Sequence, residues 1–356
     1  MNQSKATMAD VARAARVSPT TAARAIYNNG YVSDENRKRV LQAVEATGYR
    51  PNLQARSLRL QRSYTLGLIL SSAKENPFYT NISHAIRTAA SAAGFSMLTV
   101  NHSYSADVET AGIKQFLDHA VEAVILCHAL DTKHLRPLIK SRIPIIQVER
   151  QDVEQAYHVA IDPQPGMTEA LRSLVDQGHR RIAFAGARPP NAPPAKDRLG
   201  PERRRVEAFV SAVHQHGLSP DECPIALGDY FPSNLDDTLP GVRLAEELLA
   251  GGKPPVTAII AGSDTLAAGI LQALYRRRMR VPDDISIIGY DDSIAQFLSP
   301  PLSSIAQPYS AIGKVVLSFV EDVTANHDGS IVRERSASTA LVLRKSVGAA
   351  IRRITE

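Results

Sequence analysis

Three short amphipathic segments, each opened by a residue able to cap a helix, fill the first fifty residues, and no other stretch restricts the fold so tightly. The central one is Ser18-Pro19-Thr20-Thr21-Ala22-Ala23-Arg24-Ala25-Ile26. Ser18 offers a side-chain oxygen to the first orphan amides, and Pro19 fits the first turn, where no donor is needed. Upstream, Thr7-Met8-Ala9-Asp10 has the capping-box pattern of a hydroxyl followed three residues later by a carboxylate, with Met8, Val11, Ala12 and Ala15 at helical spacing. Downstream, Ser33-Asp34-Glu35 opens a third helix with apolar positions Val40, Leu41, Val44 and Ala46, and Gly48 marks a left-handed stop. Three small helices joined by tight turns predict a helix-turn-helix module, whose second helix enters a DNA major groove.

Charge supports this independently. The chain carries 41 Lys and Arg against 36 Asp and Glu; 11 of the bases but only four of the acids lie in residues 1–62, giving +7 there and −2 for the remainder. All of the excess positive charge therefore sits in the first sixth, as expected of a phosphate-binding head on a near-neutral body.

Asp10-Val11-Ala12, Val17-Ser18-Pro19-Thr20-Thr21, Val32-Ser33, Gly48-Tyr49-Arg50-Pro51-Asn52 and Ala55-Arg56-Ser57-Leu58-Arg59 resemble, in this order, the head and hinge of the lactose-repressor/galactose-repressor family of bacterial transcription regulators. Arg16, Ala22-Ala23 and Tyr27 depart from it, standing where the family usually has Gly, Val-Ser and Asn. The resemblance implies DNA contact by Thr7, Ser18, Pro19, Thr20, Thr21, Arg24, Tyr27, Asn28, Tyr49, Asn52, Ala55, Arg56, Leu58 and Arg59. Thr20, Thr21 and Arg24 are the residues expected to face the groove.

Residues 1–50 thus form the expected head and 51–63 a hinge helix or linker. Pro51 blocks continuation of the third helix, and Asn52 can cap a new one of about two turns, too short to be stable alone. In the similar family that helix folds when two copies meet in the minor groove, which implies that Leu58 wedges between base pairs while Arg56 and Arg59 stay near phosphates.

A chain of 356 residues exceeds what one core usually encloses. From Tyr64 onward short apolar runs alternate with helical segments. The runs Leu66 to Leu70, Ser96 to Val100, Ala123 to Leu126, Ile143 to Val148 and Val159 to Ile161 form one series; Arg181 to Ala185, Val256 to Ala261, Ser286 to Tyr290, Ser303 to Ala306 and Leu341 to Leu343 form a second. Helices are expected between them, among them Phe78 to Ala93, Gly166 to Gln177, Arg203 to His216 and Ala311 to Val323. The fold class expected for residues 64–356 is an α/β body of two doubly wound lobes, similar to periplasmic binding proteins. The first lobe is expected over about 64–162 and 306–330, the second over about 163–305 and 331–346.

Open α/β sheets bind ligands past the carboxyl ends of their strands. Ser71 and Ser72, Cys127, Glu149 and Arg150, and Asp291 all follow predicted strands. Carboxylates and a guanidinium suit a polyhydroxylated ligand. The family resemblance extends over Asn76-Pro77-Phe78-Tyr79, Gly228-Asp229-Tyr230, Ser263-Asp264, the run Val281 to Asp292, and Gln307-Pro308. It implies effector contact by Phe78, Tyr230, Ser263, Asp291 and Gln307, and by an arginine best matched by Arg205, with Arg198, Arg203 and Arg204 as rivals beside a Pro-rich extension over 188–201.

No nucleophile elbow, phosphate-binding loop or zinc-protease motif occurs, no metal-ligand spacing stands out, and no cofactor is expected. Cys127 and Cys223, in different lobes, fit a reducing cytoplasm better than a disulfide, and no apolar run is long enough to span a membrane. The expectation is a cytoplasmic homodimeric repressor that reads a near-palindromic operator under control of an effector, sugar-like or else purine-like.

Overall fold

The computed structural model describes residues 6–27, 30–49, 62–71, 77–188, 200–229, 240–250, 256–325 and 332–350. Contacts divide the chain between Ser63 and Tyr64 into a small head and a large body. In the head, α1 (Met8–Ala15), α2 (Pro19–Tyr27) and α3 (Asp34–Thr47) form in sequence order. Thr7 and Asp10 close the expected capping box, and Ser18 Oγ accepts the Thr21 amide at 3.0 Å. Gly48 ends α3 with φ 62. The turn after α1 is made by Arg16, which takes the left-handed conformation at φ 52, ψ 47 and donates its amide to Ala12 and Arg13. The core is small side chains: Val11, Ala12, Ala15, Ala22, Ala25, Val32, Val40 and Ala43. Here the pattern misled for α3, because Leu41 and Ala46 lie outward and Ala43 is the buried member of that turn.

The body has two six-stranded sheets. The first runs β11-β5-β4-β3-β1-β2, all parallel, from β1 (Thr65–Leu70), β2 (Ser96–Asn101), β3 (Ala123–Leu126), β4 (Ile145–Val148), β5 (Tyr157–Asp162) and β11 (Glu334–Ser338). It is covered on one face by α4 (Pro77–Ala92) and α11 (Tyr309–Ala325), on the other by α5 (Ala106–Asp118) and α6 (Arg136–Lys140). The second runs β12-β10-β9-β8-β6-β7, from β6 (Ile182–Arg188), β7 (Ile225–Asp229), β8 (Ala258–Ala261), β9 (Ser286–Asp291), β10 (Ser303–Ala306) and an antiparallel edge, β12 (Ala340–Val342). Helices α7 (Gln164–Asp176) and α8 (Pro201–Gln215) cover one face, and α9 (Pro240–Ala250) and α10 (Asp264–Arg276) the other. Continuous apolar runs such as Ala123–Leu126 and Ala258–Ala261 are buried on both faces, which is why they read so clearly.

Two strands were invisible to the apolar pattern, and both are edges. β7 begins at the exposed Ile225, and β11 is Glu-Arg-Ser-Ala-Ser with only Ala337 buried. β11 also corrects the lobe assignment: residues 334–338 were expected in the second lobe, but they pair with β5 in the first. The chain therefore crosses between lobes at Asp162–Gln164, Ala306–Tyr309 and Ser338–Ala340. Two of these crossings are bonded together, because the amide and hydroxyl of Thr339 both donate to Asp162 O at 3.0 Å.

Candidate functional site

On the head, the sequence of α2 alternates buried alanines with outward polar residues. Ala22 and Ala25 face the core, while Ser18, Thr20 and Arg24 are exposed and Thr21 and Tyr27 half-buried. Arg37 donates to Ala25 O at 3.2 Å, fixing the end of α2 against α3. Several candidate contacts already have local work. The Thr7 hydroxyl donates to Asp10 at 2.7 Å, the Ser18 and Thr21 hydroxyls lie 2.9 Å apart in the cap, and Tyr49 packs against the head core. Thr20 and Arg24 are thus the long or polar side chains that α2 turns outward. Asn28, Asn52, Ala55, Arg56, Leu58 and Arg59 fall outside the described residues.

In the body, the carboxyl ends of the strands converge on a cleft between the lobes. Arg205, on α8 of the second lobe, is its centre. One guanidinium nitrogen donates to Gly262 O at 2.7 Å and lies 3.4 Å from Glu202; the other donates to Glu149 of the first lobe at 3.0 Å and stands 4.0 Å from Asp291. The guanidinium also lies over the Tyr290 ring, 4.3 Å from its centroid. Burial alone would disfavour its charge, yet Glu149 and Glu202 hold its pKa well above the usual value. Of the rivals, Arg203 is exposed and pairs with Glu207, Arg204 is half-exposed and makes no such contacts, and Arg198 is not described.

Asp291 ends β9 with φ 93, and Glu149 follows β4 with φ 67. Non-glycine residues are strained there, and such strain gathers at functional sites. Burial raises the Asp291 carboxyl well above the carboxylate range, against the pull of Arg205; Gln307 donates to it at 3.3 Å. Glu202, which sequence reasoning missed, is fully enclosed. A Cβ at Gly186 or Gly262 would stand 2.3 or 2.4 Å from its Oε1, so those two glycines make the niche it occupies. Burial pushes Glu202 up to about 7, with Arg205 opposing and Glu149 reinforcing.

The remaining candidates separate. Ser71 and Gln307 sit at the cleft, both buried. Phe78, expected as a ligand contact, packs in the first-lobe core with its ring 6.1 Å from that of Tyr309, and Cys127 lies in the same core, its thiol pushed by burial up to about 12. Beside Phe78 lies Tyr79, half-buried, whose hydroxyl burial pushes far above its usual range within the field of Arg150 and Glu149. Tyr309, which opens α11 where the chain crosses between the lobes, shares that field through Asp291 and Glu149. Ser263 caps α10, accepting the Leu266 amide at 3.2 Å. Its neighbour Asp264 is wholly buried and holds the amides of Ser293, Ile294 and Ala295 and the Ser304 hydroxyl, which ties the loop after β9 to α10. Ser72 and Tyr230 lie outside the described residues.

Six buried side-chain polar atoms among the described residues lack a hydrogen bond of ordinary geometry, and five belong here: Ser71 Oγ, Glu202 Oε1, Arg205 Nε, Gln307 Oε1 and Tyr309 OH. Buried polar groups are normally paired.

Comparison with known proteins agrees with both halves. Residues 7–52 match the family of bacterial regulatory proteins of the lacI type, and residues 171–347 match a periplasmic binding protein-like domain. The chain is 33% identical over 308 residues to the transcriptional regulator AscG of Escherichia coli, covering 85% of this chain and 87% of that one. The chain belongs to the lacI family. It is a transcriptional regulator of that family, not an enzyme. It is also 29% identical to the ribose operon repressor of Escherichia coli over 320 residues, 88% of this chain and 92% of that one. Among solved structures, a complex of the transcriptional regulator CelR with cellobiose has 27% identity and a TM-score of 0.65, covering 96% of this chain and 100% of that one. Among the described residues no helix is long and apolar enough to cross a membrane.

Proposed function

We propose that this regulator represses transcription as a homodimer, its two heads reading the halves of a near-palindromic operator in the cytoplasm, and that a sugar or sugar derivative held between the lobes sets its affinity for DNA. The observation that carries the ligand half is the set of buried polar atoms on Glu202, Arg205 and Gln307 that lack a hydrogen bond of ordinary geometry, gathered at the residue that joins the lobes. Three carboxylates and a guanidinium present the acceptors and fixed donors that a polyol needs, and Tyr79 adds an aromatic face. Ser71, Glu149, Arg205, Asp291 and Gln307 are assigned to the ligand. The names of the ribose operon repressor and of the CelR–cellobiose complex point the same way.

Because Arg205 bonds to Glu149 across the cleft, a ligand inserted among these groups changes the balance between open and closed lobes, and differential binding to the two states is what alters DNA affinity. On the DNA side, Thr20 and Arg24 read base edges, with the positive head supplying phosphate attraction. Selection of binding sites from random duplex, followed by calorimetry with sugars, sugar acids and nucleobases, tests both halves. Selected sites without two-fold symmetry would defeat the dimer reading, and a nucleobase bound in preference to every sugar would replace the ligand class.

A further inference from the structure

Among the described residues, the surroundings of Arg205 are acidic beyond what the cations there balance. Arg205 is shared by three carboxylates, those of Glu149, Glu202 and Asp291, all within 4.0 Å of its nitrogens. Arg150, which follows Glu149, pairs with Asp152 at 2.9 Å. Beneath the floor, Asp264 adds a further buried carboxylate whose field reaches Asp291. Histidines contribute no offset: burial lowers His102, and burial with Arg150 and His102 brings His128 down to about 4.

Among the described residues the site around Arg205 therefore carries two more carboxylates than cations. An unpaired buried charge is costly, and the folded chain shows it by pushing Glu202 and Asp291 toward their protonated forms. The unpartnered atoms have the same bias. Gln307 Oε1 can only accept, as can Glu202 Oε1 whenever that carboxyl is ionised, whereas Arg205 Nε is the one member of that set that can only donate.

From this arrangement we infer that the effector carries a protonated amine as well as hydroxyls, making an amino sugar or amino polyol its chemical class. An ammonium offers three donors and no acceptor, which suits a group of carboxylates, and its charge offsets the excess that Arg205 leaves among the described residues. The inference rests on the sugar-like reading of the same cleft and narrows it. A neutral sugar would meet the hydroxyl-binding groups but leave the carboxylates uncompensated; a sugar acid would add to their number.

Calorimetry on the full-length protein tests this with glucosamine, galactosamine and mannosamine, each beside its neutral parent, its N-acetyl derivative and the corresponding uronic acid. One amine is expected to bind at least about tenfold tighter than its neutral and acetylated forms, as befits one charge-assisted hydrogen bond. Glu202→Gln should remove most of that preference, and a single cooperative thermal unfolding transition will show that the variant is folded. Preference for a neutral or acidic sugar overturns the inference and leaves the sugar-like reading standing. Preference of the wild-type for an amine that Glu202→Gln retains in full also overturns it. Failure of every sugar to bind, whatever its charge, removes the underlying reading as well.

Discussion

Arg205 of the second lobe and Glu149 of the first meet at 3.0 Å, so an ion pair joins the two lobes. Both side chains are nearly enclosed, with 8% and 12% exposure, which keeps water from screening the pair. Neutralising Glu149 removes the charge that holds Arg205 from the first lobe, while Glu202 and Asp291 of the second lobe still flank the guanidinium. Glu149→Gln is expected to keep the shape but lose the lobe-to-lobe attraction, lowering effector affinity by about 10–100-fold. Affinity for operator without effector is expected to change far less. Calorimetry and operator titration on the same preparation measure the two quantities, and equal losses in both would show that the pair does not report lobe closure.

Glu202 sets a pH dependence of stability. Burial raises its pKa from 4.5 to about 7, so between those values the folded chain holds a proton that the unfolded chain has lost. Its stabilising contribution is therefore complete below about pH 4.5 and is lost as pH rises through about 7. The loss amounts to about 3 kcal/mol at most. Glu202→Gln cannot ionise and should be more stable than wild-type at pH 8, with the difference shrinking as pH falls toward 5. Urea unfolding of both proteins at several pH values reads this directly; a constant offset across the range would place the effect elsewhere.

Much of this molecule is legible in its sequence because local chemistry and burial agree. Thr7, Ser18, Ser33 and Gly48 mark helix ends that form where the caps place them, and strands buried on both faces betray themselves as apolar runs. The edge strands β7 and β11 do not, since an edge needs few apolar residues. In the cleft, Arg205 and Asp291 could be named from a motif, and Glu149 from its place after a strand. Glu202 could not, because a glutamate in the first turn of a helix is ordinary, and only the folded niche beside Gly186 and Gly262 shows that it faces inward. Phe78 and Tyr79 were separable only once α4 had a direction: the motif holds both, and the core takes the first.

The turn between α1 and α2 offers a test in the head. Arg16 holds φ 52, ψ 47, a conformation that costs a residue with a Cβ about 1–2 kcal/mol relative to glycine. Glycine also loses more entropy on folding, which returns part of that gain. Arg16→Gly should raise the stability of the head by about 0.5–1 kcal/mol. Hydrogen exchange of the α1 to α3 amides would register slower opening in the variant. Faster exchange would mean that the arginine side chain stabilises the turn by a contact outweighing its backbone strain.

Arg24 separates base reading from phosphate attraction. It is exposed on α2 next to the buried Ala25, and its side chain runs past Gly30. If it reaches a base edge as assigned, Arg24→Ala costs about 1–3 kcal/mol on the selected operator and relaxes preference at one base pair in each half-site. Affinity for unrelated duplex then falls less, and the slope of log affinity against log salt changes little. A phosphate contact predicts the opposite pattern: a uniform loss across sequences and a salt slope smaller by about one. Titrations of both duplexes at four salt concentrations distinguish these outcomes, and the second would move sequence reading from Arg24 to Thr20.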